Sequence, residues 1–114
     1  MAGGLRIIRG RARGTRLRGV PGNTTRPITD RVKEALFNIL SADVFDSHWL
    51  DLFAGTGSVG LEALSNGAAF VRFVDLHRQA IRTLRANLEA TRLGDAGAEI
   101  RQGDAFALLS QPAD

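Results

Sequence analysis

The stretch Trp49-Leu50-Asp51-Leu52-Phe53-Ala54-Gly55-Thr56-Gly57-Ser58-Val59-Gly60 decides the fold. Its first half is a short apolar run and its second half a glycine-rich turn. Such a run, closed by glycines, reads as a buried parallel strand. Gly60 to Leu64 then reads as a short helix, stopped by Asn66-Gly67. Ala69 to Val74 is a second strand ending at Asp75. Arg78 to Arg92 is an amphipathic helix with Ile81, Leu84, Leu88 and Thr91 on one face and Gly94 as its stop. Ala98 to Arg101 is a third, weaker strand, followed by Gly103-Asp104, and Ala105 to Ser110 forms a helical turn. The order β-α-β-α-β predicts an α/β fold with a parallel sheet and right-handed crossovers.

Upstream, Pro27 precedes a helix start, with Thr29 as N-cap and Asp30 in the first turn, where an acid complements the helix dipole. Val32, Ala35, Leu36, Ile39 and Leu40 recur at helical spacing, predicting a helix over about 30–41 with those residues as its apolar face. Further upstream, Leu5 to Arg9 and Thr15 to Val20 read as two short strands of a hairpin, punctuated by Gly10, Gly14 and Gly19, with turn chemistry at Pro21-Gly22-Asn23. Strand alternation would put Arg9, Arg11 and Arg13 on one face, and Arg16 and Arg18 on one face.

Charge divides the chain. It has 114 residues and a net charge of +3, but residues 1–33 carry +8 and residues 34–114 carry −5. A basic segment on a mildly acidic domain suits a protein that meets a polyanion with one end. An apolar content of 44% and a charged content of 24% are those of a globular domain. With no cysteine there is no disulfide framework and no thiolate metal site, which agrees best with a reducing, cytoplasmic setting. No apolar run approaches the ~18 residues of a membrane span, and the arginine-bearing N-terminus has no apolar signal core. His48 and His77 are the two histidines; neither has a neighbour pattern for metal or triad chemistry, and both read as surface or strand-edge residues.

In open α/β sheets ligands sit at the carboxyl ends of the strands. Three such ends here carry carboxylates: Asp51 before the glycine turn, Asp75, and Asp104. Together they look like a nucleotide pocket. Gly55-x-Gly57-x-x-Gly60, with Asp75 twenty residues beyond Gly55, matches a dinucleotide fingerprint. Asp51 favours S-adenosylmethionine instead. An acid just before the loop repels a pyrophosphate but attracts the ammonium of a methionine moiety. The glycine turn lets backbone N–H groups meet the methionine carboxylate. Asp75 suits the ribose hydroxyls and Asp104 the adenine amine, because a carboxylate is purely an acceptor.

The blocks Arg26 to Leu40 and Leu50 to Ser65, with Arg6-Ile7-Ile8-Arg9-Gly10 before them, closely resemble the RsmD family, bacterial enzymes that methylate the N2 amine of a guanine in small-subunit (16S) ribosomal RNA. The resemblance implies a Rossmann-like, class I S-adenosylmethionine-dependent methyltransferase fold. It implies an RNA-contacting arm over residues 1–28 and the cofactor half of the domain over 29–114. It makes Asp51, Phe53, Gly55, Gly57, Asp75 and Asp104 the cofactor residues. Thr29 and Arg31 become further contacts at the methionine end, and Arg6, Arg9, Arg11, Arg13, Arg16 and Arg18 become RNA contacts, with 16S ribosomal RNA or the small subunit as partner and no metal. Asn38 and Asn87 recur in relatives, and helix packing or a local hydrogen bond is the better reading of both. The family's fourth strand ends in an Asp/Asn-Pro-Pro-aromatic motif that holds the target amine. This chain has no Pro-Pro and no Tyr. It therefore reads as an N-terminal portion, truncated before the fourth strand, with no catalytic residue of its own and inactive alone. Without the resemblance, a non-catalytic cofactor- or RNA-binding fragment, or an NAD-binding domain, stays open.

Overall fold

The computed structural model describes residues 5–22 and 28–109, the side chain of Leu108 excepted. Asn23 and Pro27, and the start of the expected fourth strand at Asp114, lie outside the described residues. Three strands, β1 (His48–Asp51), β2 (Phe70–Asp75) and β3 (Ala98–Gln102), form a parallel sheet in the order β1-β2-β3. Helix α2 (Ser58–Ser65) links the first pair and α3 (Arg78–Thr91) the second; α1 (Asp30–Leu40) precedes the sheet and α4 (Ala105–Leu109) follows it. This is the β-α-β-α-β order read from the sequence. Asp51 lies opposite Phe73, and Asp75 opposite Gln102, so the carboxyl ends of the strands lie along one rim.

The sheet packs on α2 and α3 through Val71, Phe73, Leu61 and Leu84, all fully buried. Helix and sheet approach closely because of a glycine: a Cβ at Gly60 would lie 2.3 Å from a ring carbon of Phe73. The third glycine of the fingerprint thus serves packing. β1, read as a buried strand whose free side a fourth strand would cover, is an edge of the described sheet, with Leu50 half exposed, because β2 pairs with it on one side alone.

Helix α1 starts as expected, with the Thr29 hydroxyl accepting from the Val32 N–H at 3.2 Å. Its inner face differs from the apolar periodicity. Lys33 and Phe37 are buried, with Leu36 and Leu40 packed beside them, while Val32 and Ile39 face solvent, Ile39 at 79%. The reason is an ion pair between distant segments. Lys33 Nζ meets Glu62 Oε1 at 3.1 Å, both side chains almost fully enclosed, and donates to the Arg6 carbonyl (2.6 Å) and Ser58 Oγ (3.0 Å). Glu62 accepts from the Ile8 and Arg9 amides at 2.9 and 3.0 Å and from Asn66. A buried pair persists only with its remaining donors and acceptors satisfied, and here they are. The same helix stacks Phe37 on Trp49, with ring centroids 5.5 Å apart.

The N-terminal segment is a minimal hairpin. A single antiparallel bridge joins Arg6 and Arg16, with Leu17 N–H donating to Leu5 O and Ile7 N–H to Thr15 O. Gly10 to Gly14 is a turn, so the expected alternation of Arg9, Arg11 and Arg13 does not develop. Gly10 is needed there: at φ +88°, a Cβ would lie 1.9 Å from the Ser65 carbonyl oxygen. Ser65 takes the turn in hand, its carbonyl accepting from Arg11 N–H and its hydroxyl donating to Arg9 O and accepting from Ala12 N–H. Leu5, Ile7, Ala12 and Leu17 enter the same hydrophobic core as the helices and sheet.

Candidate functional site

The rim of the sheet opens into a cleft of about 1060 Å³. One wall is the glycine loop from Asp51 to Val59, without Gly57. A second is Asp75 to Ala80, without Arg78. A third is Gly103 to Phe106, and the hairpin's end, Gly19 to Gly22, lines it too, with Ile28. That volume lies just above the ~300–1,000 Å³ usual for small-ligand sites.

The loop is held by its own backbone. Ala54 N–H donates to Val74 O and Gly57 N–H to Ala54 O. Gly55, at φ +54°, donates its N–H to Asp75 Oδ2 at 2.9 Å, and open space lies where its side chain would stand. Backbone there is free to approach a ligand closely. Gly57 is turned the other way. At φ +82°, a Cβ would sit 2.2 Å from Leu84 Cδ1, so this glycine lets the loop rest on α3.

The three carboxylates converge on the cleft with different surroundings. Asp51 is half-buried at the end of β1, and burial pushes its pKa up to about 6. The backbone N–H groups of Phe53 and Gly60 pull it back down, and the nearby Asp75 charge raises it further. This is a carboxylate short of positive charge. Asp75 is pinned: Oδ2 accepts from Gly55 N–H and Oδ1 from His77 N–H, each at 2.9 Å, and each oxygen keeps a lone pair for a ligand. Its backbone carbonyl accepts from Gly103 N–H, tying the ends of β2 and β3 together. Asp104 is exposed at the rim, where Oδ1 accepts from the Phe106 N–H at the start of α4. Phe53 and Phe106 meet edge-to-face across the mouth at 6.4 Å, 73% and 74% exposed.

Asp51, Phe53, Gly55, Asp75 and Asp104 are therefore brought together on one cleft, and Gly57 stands behind it. Thr29 caps α1 and Arg31 is exposed on that helix; neither lines the cleft, although their neighbour Ile28 does. The hairpin arginines divide. Arg6 pairs with Asp30 at 3.2 Å, Arg9 donates to Asn38, and Arg11 reaches Asp95 at 3.0 Å and the Arg92 carbonyl. Arg13, Arg16 and Arg18 are exposed, with no side-chain partner among the described residues. His77 is exposed on the cleft wall, its Nδ1 3.5 Å from Asp75, and His48 is exposed beside Phe70. Among the described residues no cluster of His, Cys, Asp and Glu has metal-binding geometry, and no helix is long and apolar enough to cross a membrane.

Sequence reasoning missed Lys33, Glu62 and the rim residue Phe106, and passed over what Asn87 holds. The signal for the first two was a charge standing among buried apolar positions, Lys33 beside Phe37 and Glu62 between Leu61 and Ala63. Asn87 is packing, as expected, but packing across segments, through bonds to Arg18 and Thr56.

Comparison with known proteins places this architecture. The family model described as conserved hypothetical protein 95 matches residues 5–114. Ribosomal RNA small subunit methyltransferase D of Haemophilus influenzae is 40% identical over 110 residues, covering 96% of this chain and 57% of that protein. Its Escherichia coli K12 namesake is 39% identical, covering 96% and 54%. The chain thus spans a little over half the length of these relatives. A solved Escherichia coli protein superposes with a TM-score of 0.82 at 40% identity, over 96% of this chain and 57% of that one. An RNA methyltransferase from Salinibacter ruber in complex with S-adenosyl-L-homocysteine shares the fold, with a TM-score of 0.63 at 24% identity over 71% of this chain and 52% of that one. The parallel half-sheet, the glycine loop and the matched residues agree: the chain belongs to the conserved hypothetical protein 95 family, the RsmD family of methyltransferases.

Proposed function

We propose that the cleft binds S-adenosylmethionine, and that the chain is the cofactor-binding part of an enzyme that methylates the N2 amine of a guanine in small-subunit ribosomal RNA. The observation that carries this reading is the convergence of Asp51, Asp75 and Asp104 around the Gly55 turn. The residues suit the cofactor. Asp51, with its raised pKa, lacks a cation, and an ammonium placed there satisfies it. The open side of Gly55 admits the methionine moiety. Asp75 has a free lone pair on each oxygen for ribose hydroxyls, and Asp104 stands at the rim for the adenine amine. Phe53 and Phe106 offer apolar cover at the mouth.

An NAD site fits less well. A carboxylate at Asp51 would face a pyrophosphate, and the like charge would repel it. When bound, S-adenosylmethionine supplies an electrophilic methyl on a good leaving group, so the protein's part is positioning. Arg13, Arg16 and Arg18 are the hairpin arginines left for RNA phosphates, and a guanine must be unstacked to present its N2 amine. The names of the relatives at 39–40% identity support ribosomal RNA as the substrate class.

The experiment is methyl transfer to small-subunit ribosomal RNA by the protein extended through the family's next strands, followed by mass spectrometry of the nucleosides. N2-methylguanosine absent from an Asp51→Ala control is the expected product. A methyl on another base or atom would overturn the guanine-N2 assignment, and no transfer with cofactor bound would overturn the enzyme reading.

A further inference from the structure

We propose that Asn87 is a positioning residue that sets the spacing between two walls of the cleft; this rests on the reading of the cleft as a cofactor site. Asn87 lies on α3 and is fully buried. Its Oδ1 accepts from the Arg18 N–H at 2.7 Å, and its Nδ2 donates to the Arg18 carbonyl at 3.0 Å and to the Thr56 carbonyl at 2.9 Å. The carboxamide's two Nδ2 hydrogens and its oxygen are therefore all engaged.

The segments it joins are far apart in sequence and both belong to the cleft. Arg18 immediately precedes Gly19 to Gly22, which form one wall. Thr56 lies between Gly55 and Gly57, both at positive φ, in the loop that forms another wall. No regular ladder holds either segment: the hairpin has one bridge, and the loop turns on two left-handed glycines. One side chain thus stands where two strands of a sheet would otherwise fix the distance. Asparagine is suited to this because it pairs with backbone N–H and C=O together, as a peptide group does. The same carboxamide ties the backbone of Arg18, whose side chain is exposed, to the glycine loop.

The test is calorimetric titration with S-adenosylhomocysteine of the parent chain, Asn87→Asp and Leu93→Ala. Asn87→Asp keeps the shape but turns the donor into an oxygen facing two carbonyls. Leu93 is fully buried in the core and lines no part of the cleft, so its truncation supplies a destabilised control. The expected result is a Kd raised about tenfold or more in Asn87→Asp, the worth of roughly one net hydrogen bond. Leu93→Ala should keep the parent's Kd despite a lower Tm. A purely structural role for Asn87 predicts the opposite, a lower Tm with Kd unchanged, and that result overturns the proposal. If Asn87→Asp does not fold, Asn87→Ser takes its place, and an unchanged Kd in that variant overturns the proposal equally. A parent chain that folds but does not bind refutes the reading of the cleft and the proposal with it.

Discussion

Replacing Asp51 with asparagine should make the protein more stable at neutral pH relative to its parent than at acid pH, while abolishing its proposed function. The folded-state pKa of Asp51 is about 6, against 3.8 unperturbed. Each unit is worth about 1.4 kcal/mol, so the ionised side chain costs the fold about 3 kcal/mol relative to its protonated form. The sign follows from the raised value. The folded state holds this proton more tightly than the unfolded state does. Asp51's favourable contribution is therefore complete below about pH 3.8 and is lost as pH rises through 6. Asparagine does not titrate. It also places an N–H₂ near one of the Phe53 and Gly60 amides, a pH-independent cost of about 1–3 kcal/mol. The diagnostic quantity is thus the change in the stability difference with pH. Variant minus parent should rise by about 2 kcal/mol between about pH 4 and pH 7. Urea unfolding of both proteins at several pH values in this window measures it. A difference that stays constant would refute the claim that Asp51 is a desolvated carboxylate held for a cationic partner.

Three further perturbations test the rest of the account. Lys33→Met leaves Glu62 buried without its cation, and chemical unfolding should show a loss of about 3–5 kcal/mol; a loss under 1 kcal/mol would mean the pair is hydrated. Gly60→Ala puts a methyl against the Phe73 ring, 2.3 Å away, and should lower stability by about 1–3 kcal/mol, with partial recovery in the double variant with Phe73→Leu; equal losses in the single and double variants would show that the close approach is not what the glycine serves. Replacing Arg13, Arg16 and Arg18 with alanine should flatten the log–log salt dependence of RNA affinity by about 2–3. The Arg6, Arg9 and Arg11 triple should act mainly on stability, and an equal loss of slope in both triples would remove the distinction drawn from their partners.

The element order and the three strand-end carboxylates were legible because they rest on local signals: apolar runs, glycine turns, and acids just after strands. What was not legible depends on contacts between distant segments. Periodicity placed Val32 and Ile39 inside, but the fold turns α1 so that Lys33 reaches Glu62, and no window along the chain contains both. Alternation lined up Arg9, Arg11 and Arg13, but the Ser65 carbonyl approaches Gly10 and the strand ends there. Gly57 looked like a ligand-facing glycine by its place in the fingerprint, and its neighbour Leu84 belongs to another helix. The charge of the basic segment was visible in the sequence and its docking was not: Leu5, Ile7 and Leu17 supply its anchor.

The central claim is that the cleft between the strand ends is a site for S-adenosylmethionine with Asp51 at the ammonium. Calorimetric titration of the chain with S-adenosylhomocysteine, beside Asp51→Ala and an NAD control, tests it most directly. The account predicts saturable binding by the parent, loss of binding in Asp51→Ala, and none with NAD. Saturable NAD binding, or S-adenosylhomocysteine binding that survives Asp51→Ala unchanged, would contradict it.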